Sequence, residues 1–311
     1  MDNKRKRFLN AVSMLPPEFI AVLQNAPALI TDNAQEITLR TNRPLCVQCP
    51  QKRYYFTKNN CVTDTILNSQ MVVASEKSIF DTFQNICNYS IYSRQNEINN
   101  GFVTLKGGHR AGICGTAVVT DDRITNIKDI TSINIRIARE VFGCAQKLDD
   151  VVEPHKGVLI CGAPCSGKTT ILRDYARKLS FDYKVSVVDE RNELSSTVNG
   201  VFQNDMGMCD VFNNYKKCDA ITHAVRCMSP DIIVCDEIAT FEDVDALSFG
   251  VNSGVSFIAT MHSDSLKSLR NRAFFSKLIE TKAFSYIVIL DSRHNVGQIK
   301  SVLSANEIGG V

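Results

Sequence analysis

Hydrophobic and polar positions follow different patterns in the two halves of the chain. In the second half, short apolar runs alternate with longer stretches whose apolar residues recur at helical spacing. The apolar runs predict buried strands at residues 158–161, 185–189, 232–236, 257–261 and 286–290. The stretches between them predict helices at residues 168–179, 220–228, 241–251 and 266–279. This alternation is typical of an α/β fold with a parallel, doubly wound sheet and helices on both faces.

The first half has a mixed pattern that predicts a smaller α+β domain with an antiparallel sheet. Its predicted strands are residues 36–40, 45–47, 54–56, 102–105, 111–119 and 133–137. Its predicted helices are residues 8–23, with a break at Pro16 and Pro17, then 75–86 and 93–99. The polar segment 149–156, which contains Pro154, separates the two patterns. We therefore predict two domains, residues 1–149 and 150–311.

The turn after the first strand of the second half carries a phosphate-binding pattern. It fits G-x-x-x-x-G-K-[ST] with the residues Gly162, Ala163, Pro164, Cys165, Ser166, Gly167, Lys168 and Thr169. Backbone N–H groups of such a turn point toward phosphate oxygens, and the following helix adds its positive end. We expect Lys168 to meet the terminal phosphates of ATP, the Thr169 hydroxyl to bind Mg²⁺, and Thr170 to complete the site. We therefore predict that the second half is a RecA-like P-loop ATPase domain.

Acidic residues follow the predicted strand 232–236. Asp236 is the candidate ligand of Mg²⁺, and Glu237 is the candidate general base that polarises the attacking water. The alternative is a strand that ends in a solvated acidic turn. The strand 185–189 also ends in acids, of which Glu190 and Glu193 are candidates to share the water-orienting role or to lie in a solvated loop.

His262 follows the predicted strand 257–261 and is a candidate to bind ATP by sensing its γ-phosphate; a structural histidine is the alternative. The other histidines, His109, His155, His223 and His294, show no metal-ligand spacing. The Cys46 and Cys49 pair forms one C-x-x-C, whose metal or redox use is an alternative to a reduced core pair.

Composition limits the expected partners and cellular location of the protein. The formal net charge of +2 gives no electrostatic argument for nucleic acid, so no nucleic-acid partner is expected. Twelve scattered cysteines, with no export signal, favour reduced thiols. No apolar run approaches the roughly 20 residues that cross a bilayer. We expect a cytoplasmic protein, or a peripheral one at the cytoplasmic face of the membrane, where the basic residues 4–7 would meet anionic lipid.

These motifs resemble those of type II and type IV secretion and pilus ATPases: a P-loop, then acidic segments 188–194 and 231–237, then a histidine segment 260–262. Most of the chain resembles the stage III sporulation protein AA family of spore-forming Firmicutes. That resemblance is carried by residues 36–40, 107–110, 132–136, 189–191, 203–205 and 226–231. It implies an ATPase at the base of a secretion-like channel between mother cell and forespore, and a homo-oligomeric ring, expected to be a hexamer.

The resemblance also has consequences for single residues. The family pattern has a glycine where Cys165 stands, so we expect some strain in that turn. In ring ATPases an arginine of the same or the adjacent subunit meets the γ-phosphate, for which the candidates are Arg110, Arg136, Arg191 and Arg226.

The predicted function is an ATP-hydrolysing ring motor that serves membrane channel proteins of a sporulation complex. A nucleotide-dependent assembly switch with little turnover is the alternative. A nucleic-acid translocase is a third hypothesis, which the near-neutral net charge disfavours.

Overall fold

The computed structural model describes residues 3–67, 70–291, 295–304 and 307. The chain forms two compact units, Met1–Arg139 and Glu140–Val311. The division falls ten residues before the boundary that the sequence suggested, because residues 140–149 pack with the second unit. Ala145 and Leu148 are buried there among the side chains of the second core. His294 lies outside the described residues.

The first unit is built around one seven-stranded antiparallel sheet. Its helices are α1 (Asn3–Val12), α2 (Pro17–Leu23), α3 (Ala28–Thr31), α4 (Glu76–Ile86) and α5 (Gln95–Asn99). Its strands are β1 (Glu36–Arg40), β2 (Arg43–Pro44), β3 (Cys46–Gln48), β4 (Arg53–Phe56), β5 (Val62–Thr63), β6 (Val73–Ala74), β7 (Phe102–Thr104), β8 (Arg110–Thr120) and β9 (Arg123–Arg136). The sheet order is β5-β4-β3-β1-β9-β8-β7, and β2 pairs separately with β6.

Strand β9 begins ten residues earlier than the predicted strand 133–137. It forms a long hairpin with β8, which turns at Asp121 and Asp122, both with positive φ. Strand β1 joins β9 only over residues 132–136, so the outer part of the hairpin is a two-stranded ribbon. Residues 124–131 of β9 are exposed or half-buried, and without a buried face this part lacks the alternating pattern that marks a strand in sequence.

The second unit contains the predicted strand–helix alternation. Its helices are α6 (Gln146–Asp149), α7 (Lys168–Leu179), α8 (Lys217–His223), α9 (Phe241–Asn252), α10 (Leu266–Arg270) and α11 (Phe275–Glu280). Its strands are β10 (Val158–Gly162), β11 (Val185–Asp189), β12 (Asp210–Asn213), β13 (Ile232–Glu237), β14 (Ser256–His262), β15 (Tyr286–Leu290) and β16 (Ile299–Ser304). One π-helical turn, Ala224–Met228, continues α8.

The second sheet is parallel except at one edge. Its order is β12-β11-β13-β14-β10-β15-β16, and only β16 runs antiparallel to its neighbour. Strands β10 and β11 are buried along their whole length, which explains their continuous apolar sequence. Helix α7 packs into the core on one face, and α9 packs into the core on the other. The carboxyl ends of the parallel strands therefore open at one edge, where ligands bind to such sheets.

The predicted helix 266–279 is wrong as one element. It is divided into α10 and α11 by a turn at residues 271–274. In this turn, Arg272 donates a hydrogen bond from Nη2 to the carbonyl oxygen of His262 at 2.6 Å, a contact that a continuous helix would redirect. The predicted helix 220–228 begins earlier, at Lys217.

The structure shows the state of the cysteines and the length of the helices. All twelve cysteines are free, and Cys46 and Cys49 are buried, which raises the pKa of both thiols. Across the described part of the chain, three or more His, Cys, Asp or Glu side chains nowhere gather as a metal site would require. Within the same residues, every helix is too short or too polar to reach across a bilayer.

Candidate active site

The loop between β10 and α7 has the backbone shape that binds phosphate. Cys165 has a φ of 64° and Gly167 a φ of 97°, both in the left-handed region. Alternation of left-handed and right-handed residues turns successive N–H groups toward one point, and this concave surface binds anions. A Cβ atom on Gly162 would come within 2.4 Å of Ser166 Oγ, so the close approach of the loop ends requires glycine there.

Ser166 supplies an independent sign that the loop suits an anion. Its side-chain hydroxyl is buried and has no hydrogen-bond partner in the protein. An unpaired buried hydroxyl costs about 1–3 kcal/mol, and a phosphate oxygen in the loop would accept its hydrogen bond. The Ser166 carbonyl oxygen accepts from Gly297 N at 2.9 Å, so the turn before β16 packs on the loop. Pro164 and Cys165 are exposed at the loop tip.

Lys168, the first residue of α7, is folded back onto the loop. Its Nζ donates to the carbonyl oxygens of Gly162 and Ala163, each at 2.9 Å. The same ammonium lies 3.1 Å from Nδ1 of His262. Burial lowers the pKa of Lys168, and the carboxylate of Glu237 opposes that shift. The lysine therefore stands where terminal phosphates would replace the two carbonyl oxygens.

Sheet register brings the other candidates to this loop. Strand β14 lies between β10 and β13, with Gly162 opposite His262 and Glu237 opposite Thr260. Between Cys235 and Glu237 the register shifts, as in a β-bulge. Bulges redirect side chains at the ends of strands, which here affects the two candidate acids.

Glu237 and His262 contact one another across the edge of the sheet. Nε2 of His262 lies 3.6 Å from Oε2 of Glu237, and Nη1 of Arg191 lies 3.5 Å from the same oxygen. Burial lowers the pKa of His262, and the nearby Lys168 charge lowers it further. Lys168, His262, Glu237 and Arg191 thus form one continuous polar chain.

Asp236 and Thr169 provide the oxygen donors that Mg²⁺ prefers. Asp236 is buried and accepts a hydrogen bond from Thr260 Oγ1 at 3.3 Å. Burial raises the pKa of Asp236 to about 6, with further contributions from Glu193 and Asp189. Thr169 is half-buried in the first turn of α7, next to Thr170. One carboxylate, one hydroxyl and the phosphates themselves would complete a typical magnesium site.

The loop after β11 is organised by Asp189. This side chain is fully buried and accepts hydrogen bonds from the backbone N–H groups of Glu193, Leu194 and Ser195 at 2.7–3.1 Å. It also accepts from the Ser195 hydroxyl. Asp189 therefore shapes the loop. Its neighbour Glu190 faces the buried ammonium of Lys217, with 3.6 Å between Oε2 and Nζ.

The four candidate arginines are dispersed. Arg191 contacts Glu237, as described. Arg226 is exposed in the π-helical turn just before β13 begins, toward the amino edge of the sheet. Arg110 and Arg136 are paired residues of β8 and β9 in the first unit. The guanidinium of Arg110 lies 4.9 Å from the ring centre of Phe102, and Nε of Arg136 lies 3.6 Å from Oε1 of Glu36.

Three residues of the site were not predicted from the sequence. Lys217 is buried and donates to the carbonyl oxygen of Glu237 at 2.6 Å, and Asp243 pairs with it at 3.1 Å. Arg272 holds the carbonyl of His262. The sequence signal for Asp243 is the capping box that it forms with Thr240 at the start of α9. Lys217 and Arg272 have no local signal.

Known proteins are similar to this chain over most of its length. The family described as "Sporulation stage III, protein AA" matches residues 4–309. "Stage III sporulation protein AA" of Bacillus subtilis (strain 168) is 30% identical over 298 residues, which cover 93% of this chain and 92% of that protein. The chain belongs to the sporulation stage III protein AA family. The resemblance predicted from the sequence is confirmed.

Solved structures share the fold of this AA-family chain. The pilus retraction motor PilT with bound ADP aligns with a TM-score of 0.54 and 17% identity, covering 82% of this chain and 74% of that chain. The Legionella pneumophila ATPase DotB aligns with a TM-score of 0.50 and 15% identity, covering 83% and 72%. At these identities the likeness establishes the fold alone. It confirms the RecA-like α/β class that the sequence predicted.

Proposed function

We propose that this protein is an ATP-hydrolysing ring motor of a secretion-like channel or complex that serves sporulation. The observation that supports this best is the polar chain from Lys168 through His262 to Glu237 at the mouth of a phosphate-binding loop. It joins a cation for the terminal phosphates to a carboxylate for the attacking water. Simple phosphate binding needs the loop and the lysine but has no use for Glu237.

Each residue then has a defined role in hydrolysis. The N–H groups of the loop and the Ser166 hydroxyl bind phosphate oxygens, and Lys168 leaves the loop carbonyls to meet the terminal phosphates. Thr169 and Asp236 hold Mg²⁺, which when bound neutralises charge on those phosphates. Glu237 accepts a proton from the attacking water, while His262 senses the γ-phosphate through the loss of its contact with Lys168. Glu190 and Glu193 stay as secondary candidates for orienting water.

The ring and its partners belong to the same proposal. Subunits that share a nucleotide through a trans arginine would couple hydrolysis to movement between subunits. Arg110, Arg136, Arg191 and Arg226 are the candidates for this role. The partners would be further copies of the chain, in a hexamer, and membrane channel proteins at the cytoplasmic face of the membrane. PilT is a pilus retraction motor and DotB is an ATPase, and each description applies to that protein.

One observation favours a second function, a nucleotide-dependent assembly switch with little turnover. Lys168 is bound by two carbonyl oxygens and faces His262, so nucleotide binding must displace its side chain from these partners before any hydrolysis. Such a rearrangement alone would be enough to order a complex.

The experiment compares ATP turnover with native mass in the presence of ATP and Mg²⁺. A motor predicts turnover that rises per subunit with protein concentration, in step with a ring-sized species. Mixing Arg110→Ala subunits with Lys168→Ala subunits would restore part of the activity if the arginine acts in trans. A constant turnover per monomer, with no recovery in mixtures, would contradict the ring motor. A nucleotide-dependent ring with negligible turnover would favour the switch.

A further inference from the structure

A buried lysine joins two loops of the candidate active site. Lys217 is the first residue of α8, and its side chain is 8% exposed. Its Nζ donates to the carbonyl oxygen of Glu237 at 2.6 Å and to Oδ1 of Asp243 at 3.1 Å. It also lies 3.6 Å from Oε2 of Glu190. The three acceptors come from the ends of the adjacent strands β11 and β13 and from the first turn of α9.

Helix α8 itself gives no reason for a lysine at this position. A cation in the first turn faces the positive end of the helix dipole, and a buried ammonium loses its hydration. Both effects disfavour Lys217 unless its acceptors compensate for them. The preceding residue, Lys216, makes no side-chain capping hydrogen bond either. The position of Lys217 is therefore explained by the groups that it binds.

Asp243 connects this lysine to the turn that follows Glu237. Its second oxygen, Oδ2, accepts from the backbone N–H groups of Ala239 at 2.9 Å and Thr240 at 3.1 Å. The Thr240 hydroxyl in return accepts from Asp243 N at 3.1 Å. Lys217 on the Glu237 carbonyl and Asp243 on the amides of Ala239 and Thr240 together hold the turn at both ends.

The backbone at Glu237 lies beside an irregularity in β13. The register of β13 shifts between Cys235 and Glu237, and beyond the shift the ladder to β14 ends with Ile238 N, which donates to the carbonyl oxygen of Thr260 at 2.9 Å. A cavity of about 590 Å³, lined by Glu190, Lys217, Glu237, Thr240 and Asp243 among others, borders the turn. Without Lys217, this space would let the turn move and carry the Glu237 carboxylate away from His262.

We propose that Lys217, held by Asp243, is the positioning residue that fixes the carboxylate of Glu237 for activation of water. This inference deepens the proposed function and rests on it. Lys217 acts on the main chain of Glu237 and not on the nucleotide. Its loss should therefore affect the chemical step and leave ATP binding intact.

The test uses Lys217→Met, which keeps most of the length of the side chain and removes its charge, and Lys217→Arg, which keeps the charge. Lys217→Met should lower kcat about 100-fold, because a catalytic group displaced by about 1 Å loses about that much in rate. The KM for ATP should stay within about 3-fold of wild type, because binding contacts are unchanged. Lys217→Arg should recover part of kcat. Hydrogen exchange at the amides of Ala239 and Thr240 should accelerate in Lys217→Met.

The matched control is Lys277→Met. It removes the lysine of an exposed ion pair with Asp245, another aspartate of α9, with 2.5 Å between Nζ and Oδ1. This variant should leave kcat and the exchange rates unchanged, since exposed ion pairs contribute little.

Three results separate this inference from the proposed function. A Lys217→Met kcat within about 2-fold of wild type, or a change in KM alone, would overturn the positioning role. Absence of ATP turnover in the wild-type protein would contradict the proposed function instead. In that case, unchanged hydrogen exchange at Ala239 and Thr240 in Lys217→Met would show that Lys217 does not support the turn. If Lys217→Met does not fold, Asp243→Asn takes its place, with the same expected loss and the same criteria.

Discussion

The imidazole Nδ1 of His262 lies 3.1 Å from the ammonium nitrogen of Lys168. An ammonium can only donate, so Nδ1 accepts, and the neutral ring carries its proton on Nε2. Nε2 in turn lies 3.6 Å from Oε2 of Glu237. A terminal phosphate that draws Lys168 out of the loop would also break this contact, and the change would reach Glu237 through a single side chain.

Replacement of the candidate base separates binding from hydrolysis. Glu237→Gln removes the proton acceptor but keeps the shape of the side chain, so ATP affinity should be retained. Turnover should fall by about 10²- to 10⁴-fold, the usual contribution of a general base. The measurement is phosphate release beside ATP binding, with Glu280→Gln on the exposed side of α11 as control. Equal turnover in wild type and Glu237→Gln would assign the role to another acid, such as Glu190 or Glu193.

The strained turn at Cys165 predicts a stabilising substitution. Its φ of 64° lies in the region that costs a residue with a Cβ roughly 1–2 kcal/mol and costs glycine nothing. The greater freedom of glycine in the unfolded chain offsets roughly 0.5–1 kcal/mol of that. Cys165→Gly should therefore raise the free energy of unfolding by up to about 1.5 kcal/mol and keep ATP binding.

Thermal unfolding of Cys165→Gly should be compared with that of Cys165→Ala, which also removes the thiol but keeps the strain. An alanine variant as stable as the glycine variant would show that the sulfur, and not the backbone, carries the effect.

His109 predicts acid sensitivity of the first unit. The side chain is fully buried; burial lowers its pKa to about 4, and Arg7 contributes. Nδ1 accepts from Ala138 N at 3.0 Å, while Nε2 is buried without a partner. Between pH 6.5 and pH 4 the unfolded chain binds the extra proton. The free energy of unfolding should therefore fall as pH decreases through this range, by at most about 1.4 kcal/mol per pH unit.

The measurement is hydrogen exchange of the β1 and β9 amides at several pH values, corrected for the intrinsic rates. His109→Gln keeps an acceptor for Ala138 N and should show a weaker dependence on pH than wild type. His155→Gln, at a half-exposed histidine, is the control and should follow wild type. Identical slopes for wild type and His109→Gln would contradict this role.

The sequence predicts the elements whose pattern is local. Buried parallel strands such as β10 and β11 are continuous apolar runs, and the glycine spacing in residues 162–167 predicts a turn, which lies between β10 and α7. Strand β12 was not predicted because all four of its residues are half-buried and the first and last of them are polar. Strand β16 was not predicted because it is a partly exposed strand at the edge of the sheet.

Contacts between residues far apart in the chain could not be predicted from the sequence. Lys217 and Asp243 are 26 positions apart, and they meet only because α8 and α9 begin beside the same edge of the sheet. The same holds for Arg272, whose bond to His262 depends on an interruption between α10 and α11 that helical periodicity does not show.

Calorimetric titration of ATP with Mg²⁺ into wild type and Lys168→Ala tests the central claim most directly. Wild type should bind ATP, and Lys168→Ala should bind about 10- to 100-fold more weakly, because a hydrogen bond to a charged group contributes roughly 1.5–3 kcal/mol. Lys178→Ala, which removes an exposed lysine of the same helix, should bind as wild type does. A folded wild-type protein that takes up no ATP, or a Lys168→Ala variant with unchanged affinity, would contradict the account.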